Sequence, residues 1–241
     1  MVLLITTCGG RDPHYLARLL RQINASGWNG RRLVISDGSP SLASGWPTSA
    51  SKKREGQTRT YWRALAVGLE EARRTRSDRI LILEDDVELT RNALPYMERA
   101  RLPLPLAFVT WFDGHAVAPR SRPAIYPIEA KNFFCLQGVT WPPATAAALL
   151  RAPAFAAWKE LHSGDILIAK ILNGRHYGVH VPNLVQHLGA HSLCNPGERL
   201  TGVRVANNYP GPSFDALTLG RQPAPAERGG QARVVLRSAL R

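Results

Sequence analysis

The chain has 241 residues, 44% hydrophobic and 20% charged, which fits an ordinary soluble globular protein with one substantial α/β domain or two small ones. No run reaches the roughly 18 to 20 apolar residues that span a bilayer, and the three cysteines are odd in number and without metal-finger spacing, so a disulfide framework is excluded. Lysine and arginine total 31 against 18 acidic residues, a formal charge of +13, which favours polyanionic partners such as nucleic acid, an anionic membrane surface or a nucleotide.

Arginine supplies nearly all of the positive charge, the lysines being Lys52, Lys53, Lys131, Lys159 and Lys170. Its planar fork suits phosphate and carboxylate, although a GC-rich coding sequence alone also enriches arginine. The start, Met1 to Cys8, has no basic leader and reads straight into a strand. With the three widely spaced cysteines, this predicts a reducing, cytoplasmic setting, with a peripheral place at the inner membrane and a phage-infected host cytoplasm as further options.

Val2 to Thr7 is a short apolar run that predicts a buried first strand. Asp12-Pro13 then caps a helix carrying Leu16, Leu19, Leu20 and Ile23 at helical spacing and ending near Gly27. Leu33 to Ser36 is a second buried strand, closed by the turn residues Asp37-Gly38-Ser39-Pro40. Ser41 to Thr60 has no apolar period and reads as a long loop of the functional or mobile kind. Tyr61 to Arg74 predicts a helix, Arg79 to Leu83 a third buried strand, and Asn92 to Arg101 another helix. Alternating short strands and helices predict a mainly parallel sheet.

Later, Ala107 to Trp111 and Phe133 to Trp141 read as strands, and Pro142-Pro143 opens a helix to about Leu150. Asp165 to Leu172 reads as a helix and Val179 to Pro182 as a short strand. Residues 1–220 are expected to form one domain, with a nucleotide-binding half at 1–90 and an acceptor half at 91–220. Residues 221–241 follow as a basic tail.

The third strand runs into Glu84-Asp85-Asp86. Adjacent carboxylates repel one another, and a hydrophobic strand adds desolvation cost. A divalent cation such as Mg²⁺ or Mn²⁺ removes both problems. Alternate strand positions share a face, which puts Glu84 with Asp86 and turns Asp85 away unless the chain bends there. A solvated acidic turn is the plain alternative.

The order strand–helix–strand–loop–helix–strand over Val2 to Leu89, with Ile80-Leu81-Ile82-Leu83-Glu84-Asp85-Asp86-Val87, resembles a nucleotide-sugar glycosyltransferase of the GT-A fold with its E-D-D metal motif. Val181 to Gly189 is similar to the Pro-x-Leu-x-Gln-His-x-Gly stretch late in several such enzymes. The resemblance implies a Rossmann-like, mixed but mainly parallel sheet flanked by helices, a nucleotide-sugar (first a UDP-sugar) as co-substrate, and Mn²⁺ or Mg²⁺.

It further implies that Asp86 is the principal metal ligand, backed by Glu84 or Asp85. His187 completes the shell, with His191 as its competitor. Thr6 and Thr7 would line base and ribose, Asp37 would bond one of them, and Arg59 and Arg63 would meet the diphosphate. Gly138 would admit the donor sugar to the backbone.

Inversion requires a base for the acceptor hydroxyl. The resemblance implies Asp165, with Asp113 in reserve, although a helix N-terminal aspartate is also a common cap. Trp111, Phe112 and Trp141 are candidates for a sugar platform or for the core. Transfer of a hexose or pentose is expected, to an envelope glycan or glycolipid or to a hydroxymethylated base in DNA. A nucleotidyltransferase, faintly suggested by Cys8-Gly9-Gly10-Arg11, and a non-enzymatic nucleic-acid binder are the alternatives.

Overall fold

The computed structural model describes residues 1–8, 11–38, 45–103, 105–114, 123–156, 164–189 and 205–220. The first half is β1 (Val2–Cys8), α1 (Pro13–Ala25), β2 (Arg31–Asp37), β3 (Thr48–Ala50), α2 (Gln57–Thr75), β4 (Ile80–Glu84), β5 (Val87–Leu89) and α3 (Ala93–Arg99). The second half is β6 (Val109–Thr110), β7 (Ala124–Glu129), β8 (Gly138–Trp141), α4 (Pro143–Leu150), α5 (Pro153–Ala156), α6 (Gly164–Ile171), β9 (His176–Val181) and β10 (Val185–His187).

Eight strands form one sheet in the order β3-β2-β1-β4-β8-β6-β9-β7, and β10 pairs with β5 in a separate two-stranded ladder. The β3-β2-β1-β4 half is parallel, β8 runs antiparallel to β4 and β6, and β7 runs antiparallel to β9. This is a mixed, mostly parallel α/β sheet flanked by helices.

Strand alternation feeds two cores. Val2, Leu4, Ile35, Ile80 and Ile82 pack on Tyr61, Leu65 and Leu69 of α2 and on Ala146 and Leu149 of α4. Leu3, Ile5, Val34, Leu81 and Leu83 pack on Leu16, Leu19 and Ile23 of α1 and on Leu94 and Met97 of α3. Helices on both faces explain why the central stretches Val2–Ile5, Leu33–Ile35 and Ile80–Leu83 are apolar at every position. Helix α1 starts as expected, with the Asp12 side chain accepting from His14 N at 2.9 Å and Pro13 in its first turn.

Several expectations are corrected. The described part of the Ser41–Thr60 segment is not a bare loop: it holds the edge strand β3, whose exposed, short side chains carry no apolar signal, and α2 begins at Gln57. The strand expected over Phe133–Trp141 starts only at Gly138, because Cys135 takes a left-handed φ of 83° and its N–H donates to Asp165 Oδ2. The strand expected over Ala107–Trp111 shortens to Val109–Thr110. Strand β4 ends at Glu84, and Asp85-Asp86 form a turn into β5, so strand alternation does not set their directions. His191 and the 221–241 tail lie outside the described residues.

Candidate metal and nucleotide site

Because β1, β2 and β4 are parallel, their carboxyl ends share one edge, the edge where open α/β sheets bind ligands. Thr6, Thr7, Asp37 and Glu84 all lie there. From the other half of the sheet, β8 pairs Leu83 with Gly138 and brings Gln137 beside Glu84. The β10–β5 ladder sets His187 opposite Val87, and Leu188 N donates to Asp86 O at 2.8 Å. One small ladder therefore carries a histidine to a carboxylate 101 positions earlier in the chain.

Glu84, Asp86 and His187 are all buried, and each offers a ligand atom within 4.8 Å of the others. His187 Nε2 lies 3.1 Å from Asp86 Oδ2. Glu84 is gripped by two neutral amides: Gln57 Nε2 donates to Oε1 at 2.7 Å and Gln137 Nε2 to Oε2 at 3.0 Å. Asp85 turns aside and accepts from Thr7 Oγ1 at 2.5 Å. Arg11 closes the cluster, with Nη1 3.0 Å from Asp85 Oδ1 and also paired with Asp86 Oδ2.

Burial and mutual repulsion govern the charges. Burial pushes the Asp85 carboxyl up to about 7 against the pull of Arg11, with the Asp86 and Glu84 charges adding to the rise. Burial and the Asp86 charge likewise raise Glu84, against Arg11, His187 and Gln57. Asp86 is the exception: burial works to raise it, but the His187 hydrogen bond and Arg11 hold it below the usual carboxylate range. Burial opposes the Arg11 charge, yet Asp85, Asp86 and Glu84 together keep its guanidinium firmly protonated.

The residues fit a divalent cation. Asp86 Oδ1 and His187 Nδ1 are buried without a hydrogen-bond partner among the described residues, a costly state for polar atoms. Gly189 leaves the approach open, since a Cβ there would collide with Asp86 Oδ2 and come within 2.9 Å of His187 Nε2. Two carboxylates and an imidazole suit Mn²⁺ better than Mg²⁺.

The remaining candidates are placed as follows. Thr6 Oγ1 donates to Leu83 O at 3.3 Å, tying β1 to β4 at the shared edge. Asp37 accepts backbone N–H bonds from Glu55 at 2.5 Å and Gly56 at 3.0 Å, which folds the segment before α2 against β2. Arg63 donates to Ser36 O at 2.8 Å and Ser49 O at 3.0 Å, bracing β2 and β3, and Arg59 is exposed in the first turn of α2.

Gly138 is buried, and a Cβ there would meet Val185 Cγ2 at 2.9 Å, so its bare backbone makes room for β10. Asp165 stands in the first turn of α6, accepting from Cys135 N and Ile166 N at 2.9 Å each. A Cβ at the preceding Gly164 would lie against Leu136 and Thr58, the chain neighbours of the two glutamines on Glu84. Asp113 is buried just after β6. Trp111, Phe112 and Trp141 are all inside the core, with Trp111 Nε1 on Thr140 Oγ1 and Trp141 Nε1 on Tyr61 Oη.

Sequence reasoning passed over Arg11, Gln57 and Gly189 as members of the site. The Gly9-Gly10 pair before Arg11 and the glycine two residues after His187 were the available signals. Among the described residues no helix is long and apolar enough to cross a membrane.

No protein-family model matches the sequence, and no curated protein matches it. Solved structures do. A galactosyltransferase, LgtC, in complex with donor and acceptor sugar analogues is similar over 80% of this chain and 91% of its own, with a TM-score of 0.50 at 13% identity. A glycosyltransferase involved in the glycosylation of the major capsid of PBCV-1 is similar over 75% of this chain and 82% of its own, with a TM-score of 0.42 at 13% identity. The chain thus shares its α/β fold with a galactosyltransferase of known structure, with the acidic cluster at the carboxyl edge of the sheet.

Proposed function

We propose that the protein is a metal-dependent glycosyltransferase, moving a sugar from a nucleotide-sugar, first a UDP-sugar, to an acceptor hydroxyl. The observation that carries this reading is the convergence of Glu84, Asp86 and His187 within 4.8 Å at the carboxyl edge of the sheet, with Asp86 Oδ1 and His187 Nδ1 without a hydrogen-bond partner among the described residues. The fold supports it, and it accounts for buried acids that a non-enzymatic nucleic-acid binder leaves unexplained.

Asp86, Glu84 and His187 would hold the cation, whose bound charge would offset that developing on the departing nucleoside diphosphate. Gln57 and Gln137 fix the Glu84 carboxylate by both oxygens, so its direction is set before any ligand arrives. Thr6 and Thr7 line the base and ribose end. Asp37 shapes the Ser51–Gly56 wall of that end, Arg63 braces the wall from behind, and Arg59 meets the diphosphate. Gly138 lets β10, and hence His187, lie close to β8. Asp165 accepts the proton of the acceptor hydroxyl as its oxygen attacks the anomeric carbon and the bond to the diphosphate breaks, giving inversion.

The surplus of 31 basic over 18 acidic residues supports an acceptor that carries phosphate. Hydroxymethylated DNA and a glycan on a lipid phosphate carrier are the two forms to test. Thermal-shift and donor-hydrolysis screens with Mn²⁺ across UDP-, GDP- and CMP-sugars test the donor. Nucleoside mass spectrometry after incubation with 5-hydroxymethylcytosine DNA, beside transfer to a lipid-linked glycan, tests the acceptor. Metal-insensitive DNA binding with no response to any donor would refute the transferase reading.

A further inference from the structure

Arg11 stands against Asp86, the carboxylate read as the cation's principal ligand. Its Nη1 pairs with Asp86 Oδ2, the oxygen that His187 Nε2 also reaches at 3.1 Å, and lies 3.0 Å from Asp85 Oδ1. The guanidinium is largely buried, and its Nε–H has no hydrogen-bond partner among the described residues. Two needs are thus left open beside each other. Among the described residues Asp86 Oδ1 has no hydrogen-bond donor and Arg11 Nε has no acceptor. A divalent cation satisfies the first and an anionic oxygen the second. A cation arriving alone meets a fixed positive charge on the same carboxylate, at a spacing where low-dielectric repulsion is strong. A cation arriving with a diphosphate brings the acceptor that Arg11 requires.

Resting on the metal site proposed above, we infer that Arg11 is the built-in counter-cation of Asp85 and Asp86 and exchanges these carboxylates for diphosphate oxygens when donor binds. It makes cation and nucleoside diphosphate bind as a pair. Arg11 is thereby a donor-binding residue, and its charge selects against free divalent ions. No covalent step is involved.

The test is calorimetric titration of Mn²⁺ into the full chain, with and without UDP. Wild type is expected to bind Mn²⁺ weakly alone and at least about tenfold more tightly with UDP, as removal of a like charge at contact distance implies. Arg11→Gln is expected to bind Mn²⁺ alone at least about tenfold more tightly than wild type and to lose most of the enhancement by UDP. Arg11→Lys, which keeps the charge, is expected to stay near wild type in Mn²⁺ affinity and guards against a folding defect in the glutamine variant. An Arg11→Gln affinity for Mn²⁺ at or below wild type, with native circular dichroism, would overturn the inference. Absence of Mn²⁺ binding by every variant, with or without UDP, would instead overturn the metal site itself.

Discussion

Acidification from pH 7 to pH 4 is expected to cost the fold about 3 kcal/mol through His180 alone. This residue is fully buried on β9, with Nδ1 2.6 Å from Pro182 O and Nε2 2.9 Å from Tyr96 Oη. The Pro182 carbonyl only accepts, so Nδ1 carries the proton and the Tyr96 hydroxyl donates to Nε2. A second proton on the ring would face a hydroxyl already pointed at it, inside a shell that includes the Trp111 ring. Burial accordingly lowers the His180 pKa from 6.5 to about 4, against the pull of the Pro182 carbonyl.

Above pH 6.5 both the folded and unfolded chains keep this histidine neutral, and no stability depends on it. Between 6.5 and about 4 only the unfolded chain takes up the proton, so stability falls by about 1.4 kcal/mol per pH unit. Below about 4 both states are protonated and the loss stops growing. The gap of about 2.5 pH units gives the figure of about 3 kcal/mol. Urea unfolding followed by tryptophan fluorescence, at half-unit steps from pH 7.5 to 4, measures it. His180→Gln keeps a donor and an acceptor but cannot titrate, and its profile should be flatter by that amount. Parallel profiles for the two proteins would refute the reasoning.

Two further perturbations follow from the same geometry. Gly138→Ala drives a Cβ into Val185 and should cost about 1–3 kcal/mol as overpacking. It should also weaken Mn²⁺ binding, because Val185 leads His187 along β10; wild-type stability in urea would contradict it. Asp37→Ala orphans the Glu55 and Gly56 N–H groups, with an expected cost of about 1–3 kcal/mol. Hydrogen exchange at those two amides should rise sharply, and unchanged protection would show that Asp37 does not hold the segment.

The parts of the fold that sequence alone revealed are those whose physics is local. β1, β2 and β4 are buried on both faces through most of their length, so each carries an unbroken apolar stretch, and Asp12-Pro13 marks the start of α1 without reference to anything distant. The acidic cluster was visible because three carboxylates after such a strand demand an explanation. β3, β5 and β10 were not visible: each is three residues long, and β3 is an exposed edge whose only signature is its pairing with β2. The break at Cys135 was hidden for a related reason, since its left-handed backbone is tied to Asp165, 30 positions away. His187 was legible through its surrounding pattern, and Arg11 escaped because an arginine in a chain this rich in arginine carries little information by itself. The cluster is built from residues at positions 11, 57, 84 to 86, 137 and 187, which only the tertiary fold of sheet, α2 and the β10–β5 ladder brings together.

The most direct test of the central claim is Mn²⁺-dependent hydrolysis of UDP-sugar donors by wild type and Asp86→Ala, with circular dichroism recorded on both. The cluster geometry predicts metal-dependent turnover in wild type, and a native spectrum with turnover at background in Asp86→Ala. Turnover retained by Asp86→Ala, or unaffected by chelation in wild type, would contradict the assignment of Asp86 as the principal metal ligand.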